Sequence, residues 1–98
     1  MAANLQKITA KFLHEQATSR SLITVTDFRL SSDGRHATAL ISVLPSEAET
    51  SALDFANRRR QELRKYVQDH LRIGFVPTIQ FAIDEGEKHR QKIDKLLQ

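Results

Sequence analysis

The feature that most constrains the fold is a long amphipathic stretch with a basic side, from Ala52 to Ile73. At 100° per residue its apolar side chains fall within one arc, whereas cationic side chains cluster opposite. The stretch therefore predicts a helix that packs on a core and exposes a charged face. The apolar arc contains Ala52, Phe55, Ala56, Leu63, Tyr66, Val67 and His70, and the opposite side contains Arg58, Lys65 and Arg72.

Arg59 interrupts this pattern, because it falls inside the apolar arc between the directions of Phe55 and Leu63. A guanidinium there would have to lose its water or extend outward along its aliphatic stem. We therefore predict a kink or a helix-turn-helix at residues 57–60, which would turn Arg59 outward. Three consecutive arginines, Arg58 to Arg60, would then form an exposed corner suited to contact with phosphate.

Composition limits the size and class of the protein. Ninety-eight residues, 40% of them hydrophobic, suffice for one modest core, so residues 1–98 are expected to form a single domain and a monomer. Without cysteine neither disulfides nor thiolate metal sites can form, and the reducing cytoplasm is the expected location. No apolar run approaches the roughly 18 to 20 residues that span a bilayer, and no signal peptide is recognisable, so no membrane partner is expected.

The first half of the chain changes from helical to strand periodicity. Apolar residues at spacings of three and four predict a helix over residues 4–18, with Asn4 as its cap. Alternating apolar residues then predict two strands joined by a turn at Ser31–Gly34. In that turn Asp33 is expected to bond its own backbone. A slip of one residue in the first strand predicts a β-bulge near Thr26 and Asp27.

The second half adds the long helix, a strand and a final helix. Gly74 is expected to end the long helix, and Val76-Pro77 to lead into a third strand. The aromatic residues near these strands, Phe28, Phe75 and Phe81, are expected in the core. A last helix is predicted over residues 85–97. The order αββααβ with helices on one face of a three-stranded sheet is an α+β arrangement of the type II KH kind.

Several short motifs, in their order and spacing over residues 5–97, resemble the bacterial ribosome-binding factor A family. The first is a valine-bearing strand that leads into a Ser-x-Asp turn with an alanine four residues after the Asp. The later motifs are a Val-Pro, a strand with Phe, an Asp at its end and a closing Ile-Asp-x-Leu-Leu. The matching residues are Ser31, Asp33, Ala37, Val76, Pro77, Phe81, Asp84, Ile93, Asp94, Leu96 and Leu97.

This resemblance implies a type II KH-like fold and a non-enzymatic role. Members of the family bind transiently to the immature small ribosomal subunit, contact its ribosomal RNA and support late maturation, notably in the cold. They lack the Gly-x-x-G loop of ordinary KH domains, as this chain does with its three dispersed glycines. The family places Ala-x-Gly at the kink between the central helices, whereas the aligned residues here are Arg59, Arg60 and Gln61. Two alternatives follow: the kink forms by other means, or the helix is straight and Arg59 is exposed through a local rearrangement.

The residues predicted to bind RNA are the cations of the long helix, through contact with phosphates. A solvated helix face is the plain alternative, and a KH-like module that binds an acidic protein is the alternative function. Tyr66 is kept as a candidate for base stacking, and His70 is expected to be a core histidine. The predicted RNA-binding residues are Arg58, Arg59, Arg60, Arg64, Lys65 and Arg72.

Catalysis and ligand chemistry find no support in the sequence. The four histidines have no spacing typical of a metal site, and no cysteine assists them. Asp84, Glu85 and Glu87 crowd together without a base, a nucleophile or a phosphate loop. We therefore expect no enzyme activity, no cofactor, no metal and no small-molecule substrate.

Overall fold

The computed structural model describes residues 2–16, 21–71 and 74–86 of the chain. Their element order confirms the predicted αββααβ arrangement. Most of the predicted last helix falls on residues 87–98, which lie outside the described residues. The elements are α1 (Ala2–Gln16), β1 (Leu22–Leu30), β2 (His36–Leu44), a short 3₁₀ turn (Ser46–Ala48), α2 (Glu49–Arg58), α3 (Arg60–His70) and β3 (Thr78–Ile83).

The three strands form one sheet in the order β1-β2-β3. Strands β1 and β2 are an antiparallel hairpin, whereas β3 runs parallel to β2. Parallel neighbours need a crossover connection, and α2 and α3 supply it. Strand β3 is therefore an edge strand, and the helix pair that contains the arginines leads directly into it.

The β-bulge predicted in β1 is present. The pairing register shifts between Val25 and Asp27, so Thr26 is the extra residue. This shift keeps Val25 and Phe28, three positions apart, on the same buried face.

The hairpin turn confirms the local role predicted for Asp33. Its carboxylate accepts hydrogen bonds from the Ser31 hydroxyl and, at 3.0 Å, from the backbone N–H of Arg35. These bonds, that of Ser31 first, lower the pKa of Asp33. Gly34 follows at a φ of 72°, a conformation that favours glycine.

The core lies between one face of the sheet and the three helices. Strand β2 shows the alternation most clearly, because every second side chain from Ala37 to Val43 is buried and those between are half-buried. The helices contribute the opposite wall. The buried helix residues with apolar side chains are Leu5, Phe12, Leu13, Ala52, Ala56, Leu63 and Val67.

Three predicted details are wrong. Helix α1 begins at Ala2, so Asn4 lies inside it and does not cap it. Helix α3 ends at His70, because Leu71 is already extended at φ −122° and ψ 120°, well before Gly74. Phe75 is 55% exposed. It lies on the connection between α3 and β3, where its neighbour Val76 takes the core position.

Candidate nucleic-acid interface

The predicted helix break is present at Arg59, which separates α2 from α3. Its backbone adopts φ −101° and ψ 15°, in the region between helix and strand that residues with side chains can occupy. Its N–H donates to the Ala56 carbonyl at 3.1 Å, and its carbonyl accepts from the Leu63 N–H at 2.9 Å. One residue thus ends a helix and starts the next, so this kink needs neither the alanine nor the glycine of the family pattern.

The Arg59 side chain does not turn fully outward, which corrects the expectation from the sequence. It is 38% exposed, and its guanidinium carbon lies 4.9 Å from the centre of the Phe55 ring. Its Nη1 lies 3.2 Å from Oε2 of Glu62. The break resolves the conflict of a charge in the apolar arc, because the guanidinium stacks on an aromatic ring and meets a carboxylate.

Arg58 lies beside Arg59 and is also paired with a carboxylate. Its Nη2 is 2.9 Å from Oδ2 of Asp54, one helical turn earlier. The two arginines, both carboxylates, Phe55 and Ser51 line an open groove of about 490 Å³, which we call the paired groove. Two positive and two negative side chains face each other there, so its net charge is close to zero.

Asn57, which sequence analysis did not single out, anchors the corner to the sheet. Its backbone carbonyl accepts a hydrogen bond of 3.1 Å from Nε of Arg60. Its side-chain Oδ1 accepts one of 3.1 Å from the backbone N–H of Phe81 in β3. The guanidinium of Arg60 is thereby held near the edge strand. One feature of the sequence could have pointed to this role of Asn57. It is an uncharged carboxamide directly before three arginines and next to Ala56, which is buried.

A second groove opens on the other side of the break, between the start of α3 and the start of β3. It encloses about 250 Å³, and we call it the edge groove. Its two cations, Arg60 and Arg64, form no ion pair with a carboxylate within the described parts of the chain. The lining residues are Arg60, Gln61, Arg64, Pro77, Thr78 and Ile79.

The structure thus divides the six predicted RNA-binding residues. Arg58 and Arg59 line the paired groove, and Arg60 and Arg64 line the edge groove. Lys65 is exposed on α3 and lines neither groove. Arg72 lies outside the described residues. The other wall of the edge groove, formed by Pro77 and the first two residues of β3, was not predicted, because no local pattern shows which helix a strand will meet.

Tyr66 lies at the seam between α3 and α1, away from both grooves. Its hydroxyl donates to Oε1 of Glu15 at 3.3 Å, and its ring meets the Phe12 ring edge-on at 5.3 Å. Desolvation, followed by the Glu15 carboxylate, raises the pKa of Tyr66. The His70 ring stacks on it at 3.9 Å. A base could stack there only by displacing His70.

His70 is exposed, so its assignment to the core is wrong. Its Nδ1 lies 2.8 Å from the Tyr66 carbonyl oxygen, one turn earlier. A carbonyl only accepts, so Nδ1 carries the hydrogen in this bond. The ring lies flat on Tyr66 at the end of α3, where solvent reaches it.

Two other kinds of site are absent from the described residues. No group of three or more histidine, aspartate or glutamate side chains there could hold a metal ion. Nor does that part of the chain include a helix with the length and apolar character needed to cross a membrane.

A three-stranded mixed sheet, covered on one face by α1 and by a helix pair broken at an arginine corner, defines a type II KH-like protein. The family model described as ribosome-binding factor A matches residues 1–97. The chain belongs to this family.

Individual relatives agree with this assignment. Ribosome-binding factor A of Thermodesulfovibrio yellowstonii is 36% identical over 93 residues, which cover 94% of this chain and 79% of the relative. That of Methylobacterium sp. (strain 4-46) is 34% identical over 85 residues, 87% of this chain. The match covers 61% of the latter protein, so the chain spans less than two thirds of its length.

Solved structures support the fold. The crystal structure of ribosome-binding factor A from Thermus thermophilus superposes with a TM-score of 0.76 over 84% of this chain and 89% of that one, at 24% identity. A homology model of the Thermus thermophilus factor, fitted into a cryo-EM map of its complex with the 30S subunit, superposes with a TM-score of 0.72 at 24% identity over the same shares. At this identity the likeness shows the fold.

Proposed function

We propose that this chain is a non-catalytic assembly factor that binds the immature small ribosomal subunit and its ribosomal RNA in the cytoplasm. It would support late maturation of the subunit, notably in the cold, as a monomer and without a cofactor. Membership of the family supports this proposal, as does the Thermus relative fitted into the map of its 30S complex.

The observation that carries the proposal is the edge groove, where Arg60 and Arg64 lie side by side without a neutralising carboxylate in the described residues. RNA is a dense array of phosphates, and each neutralised phosphate releases counterions. Arginine suits this task because its planar fork can bind two phosphate oxygens at once. The edge groove is therefore the proposed centre of the contact.

The other predicted cations take secondary roles in this proposal. Arg58 and Arg59 can bind phosphate only by sharing their guanidinium groups with Asp54 and Glu62. Lys65 adds an exposed charge at the side of α3. No row of exposed aromatic residues is present in the described residues, so selectivity is expected to come mainly from the shape of folded RNA.

The experiment is sedimentation of the tagged protein with small subunits and with mature ribosomes, across a series of salt concentrations. We expect co-migration with small subunits at low salt, loss of association as salt rises, and little association with mature ribosomes. If association with small subunits barely changed between low and moderate salt, the arginine corner would not be the contact surface.

Ribonuclease separates RNA binding from the alternative of a KH-like module that binds an acidic protein. Charge variants cannot do this, because both partners are negative. In a pull-down with the tagged protein, we expect ribonuclease treatment to abolish the association with small subunits. Association that survives the digestion would move the proposal to a protein partner.

A further inference from the structure

Phe75 is an aromatic side chain that the core does not use. It is 55% exposed on the connection between α3 and β3. An isolated exposed apolar side chain is ordinary on a protein surface, so a role for Phe75 depends on what surrounds it. The other four phenylalanine rings pack in the core or, in one case, beneath a guanidinium, and they belong to Phe12, Phe28, Phe55 and Phe81.

The backbone that carries Phe75 is anchored to the fold. The next two residues, Val76 and Pro77, are buried. The N–H of Thr78 then donates to the Arg35 carbonyl at 2.9 Å. Three extended residues span at most about 11 Å, so Phe75 lies within that distance of Thr78 and beside the turn end of the β1–β2 hairpin. Because its backbone is already fixed, the ring can bind a ligand with little further loss of conformational entropy.

The hairpin brings a cation to the same end of the sheet. Arg35 is exposed, and its guanidinium forms no ion pair with a carboxylate in the parts of the chain that the structure describes. The carboxylate of Asp33 instead accepts from the Ser31 hydroxyl and from the backbone N–H of Arg35. Neither Phe75 nor Arg35 lines the paired groove or the edge groove. The turn end of the sheet is therefore a separate surface with an aromatic face and a positive charge.

We propose that Phe75 stacks on an unpaired base of the bound RNA, while Arg35 binds a neighbouring phosphate. Every base has a flat face that can stack on an aromatic ring, and single-stranded positions of folded RNA leave that face available. Of a nucleotide and an apolar protein surface, only the nucleotide always supplies both a flat ring and a negative charge. This inference rests on the proposed function, because the base belongs to the same RNA.

The first test uses fluorescence, because the chain contains no tryptophan. Phe75→Trp places a single indole on this surface, and a base that stacks on it quenches its fluorescence. We expect quenching by single-stranded hexamers of adenylate and of uridylate, and none by a hexameric ribose-phosphate backbone without bases. Leu44→Trp is the matched control, because Leu44 is 51% exposed at the opposite end of the hairpin. Its fluorescence should not change with any of these probes.

The second test compares affinities for small subunits across a salt series. Phe75→Ala should weaken binding about tenfold at every salt concentration, because stacking involves no charge that salt can screen. Arg35→Gln should instead reduce the slope of log affinity against log salt by about one, since one phosphate contact is lost. Leu44→Ala removes a similarly exposed apolar side chain and should weaken binding less than about twofold. Circular dichroism checks that all three variants keep the wild-type fold.

Three results would overturn the proposal. The first is equal quenching of the tryptophans in Phe75→Trp and Leu44→Trp, and the second is wild-type affinity of Phe75→Ala for small subunits. The third is a fluorescence change of Phe75→Trp on subunit binding that survives ribonuclease, which would indicate a protein over this surface.

The sedimentation experiment with the wild-type chain is read separately. Association with small subunits, together with an unquenched Phe75→Trp, would overturn the stacking contact and leave the proposed function standing. Quenching of Phe75→Trp by the hexamers, without any association of the wild type with subunits, would support the stacking site and overturn the proposed function.

Discussion

The two sides of the helix break carry similar arginines in different electrostatic settings. In the paired groove, Arg58 and Arg59 lie 2.9 Å and 3.2 Å from carboxylate oxygens. In the edge groove, Arg60 and Arg64 meet no carboxylate in the described residues. The comparison teaches that a run of positive charges along a helix overstates the charge that a ligand would meet.

The difference has a physical cause. Asp54 and Glu62 lie four and three residues from their arginines, so a helical turn brings each pair together. The edge groove takes its second wall from β3, whose residues there are uncharged. The ion pairs of Arg58 and Arg59 form between residues that are close along the helices. In the edge groove, by contrast, the charge opposite Arg60 and Arg64 depends on which strand packs beside α3.

The largest expected effect is on the salt dependence of subunit binding, when the arginines of each groove are neutralised in turn. Arg60→Gln with Arg64→Gln should reduce the slope of log affinity against log salt by about two, since two phosphate contacts are lost. Arg58→Gln with Arg59→Gln is the matched control and should change the slope by less than about one, because these charges are already neutralised. The measurement is affinity for small subunits across a salt series. Equal slopes in the two double variants would refute the comparison.

The next effect concerns the anchor between the grooves and the sheet. Asn57→Ala leaves the Phe81 N–H without its acceptor and should lower the free energy of unfolding by about 1 to 2 kcal/mol. Asn57→Asp keeps an acceptor and should be less destabilising, but it places a negative charge beside Arg60 and should weaken RNA binding. Denaturant unfolding and subunit binding measure the two effects. If Asn57→Ala unfolded like the wild type, the bond to β3 would not stabilise the corner.

A smaller effect on subunit binding should appear when the two ion pairs of the paired groove are removed. Asp54→Asn with Glu62→Gln frees the guanidinium groups of Arg58 and Arg59 while it keeps side-chain size. Binding to small subunits at low salt should tighten by about threefold or more, and stability should change by less than about 1 kcal/mol, because exposed ion pairs contribute little. Unchanged binding would mean that these two arginines stay away from the RNA in the complex.

The smallest effect is expected at the hairpin turn, which serves as a control for both grooves. The folded state lowers the pKa of Asp33 through bonds from Ser31 and Arg35. Its contribution to stability is therefore present above the ordinary aspartate pKa and lost as pH falls through the lowered value. Asp33→Asn should melt below the wild type at pH 7, and the gap in Tm should narrow progressively as the pH falls below about 4. Subunit binding at pH 7 should not change.

Local chemistry accounts for the parts of the fold that could be predicted. The bulge at Thr26 follows from a one-residue slip in alternation, and the Asp33 turn follows from side-chain bonds within three residues. The helix break follows from a charged residue at an apolar position. In each case the residues that form the sequence pattern and the residues that form the structural feature are within a few positions of each other along the chain.

Other features of the site escaped prediction because their partners are distant in sequence. Asn57 bonds Phe81 across 24 positions. Arg59 was expected to turn outward, but the break lets it cover Phe55 and meet Glu62. His70 keeps an apolar direction on the helix yet lies in solvent on Tyr66. A helical projection predicts the direction in which a side chain points. Whether that side chain is buried depends on whether a neighbouring helix or strand extends far enough to cover it.

The amino-acid sequence by itself determined the α+β order, the hairpin, the bulge, the position of the helix break and the six candidate cations. Periodicity and turn chemistry act over a few residues, so they can be read without the fold. Only the tertiary structure decided that Arg60 and Arg64 share a groove with the edge of β3 and that Asn57 joins the helices to that strand. The crossover between β2 and β3 brings these residues together, because a parallel strand must return beside its partner through the helices.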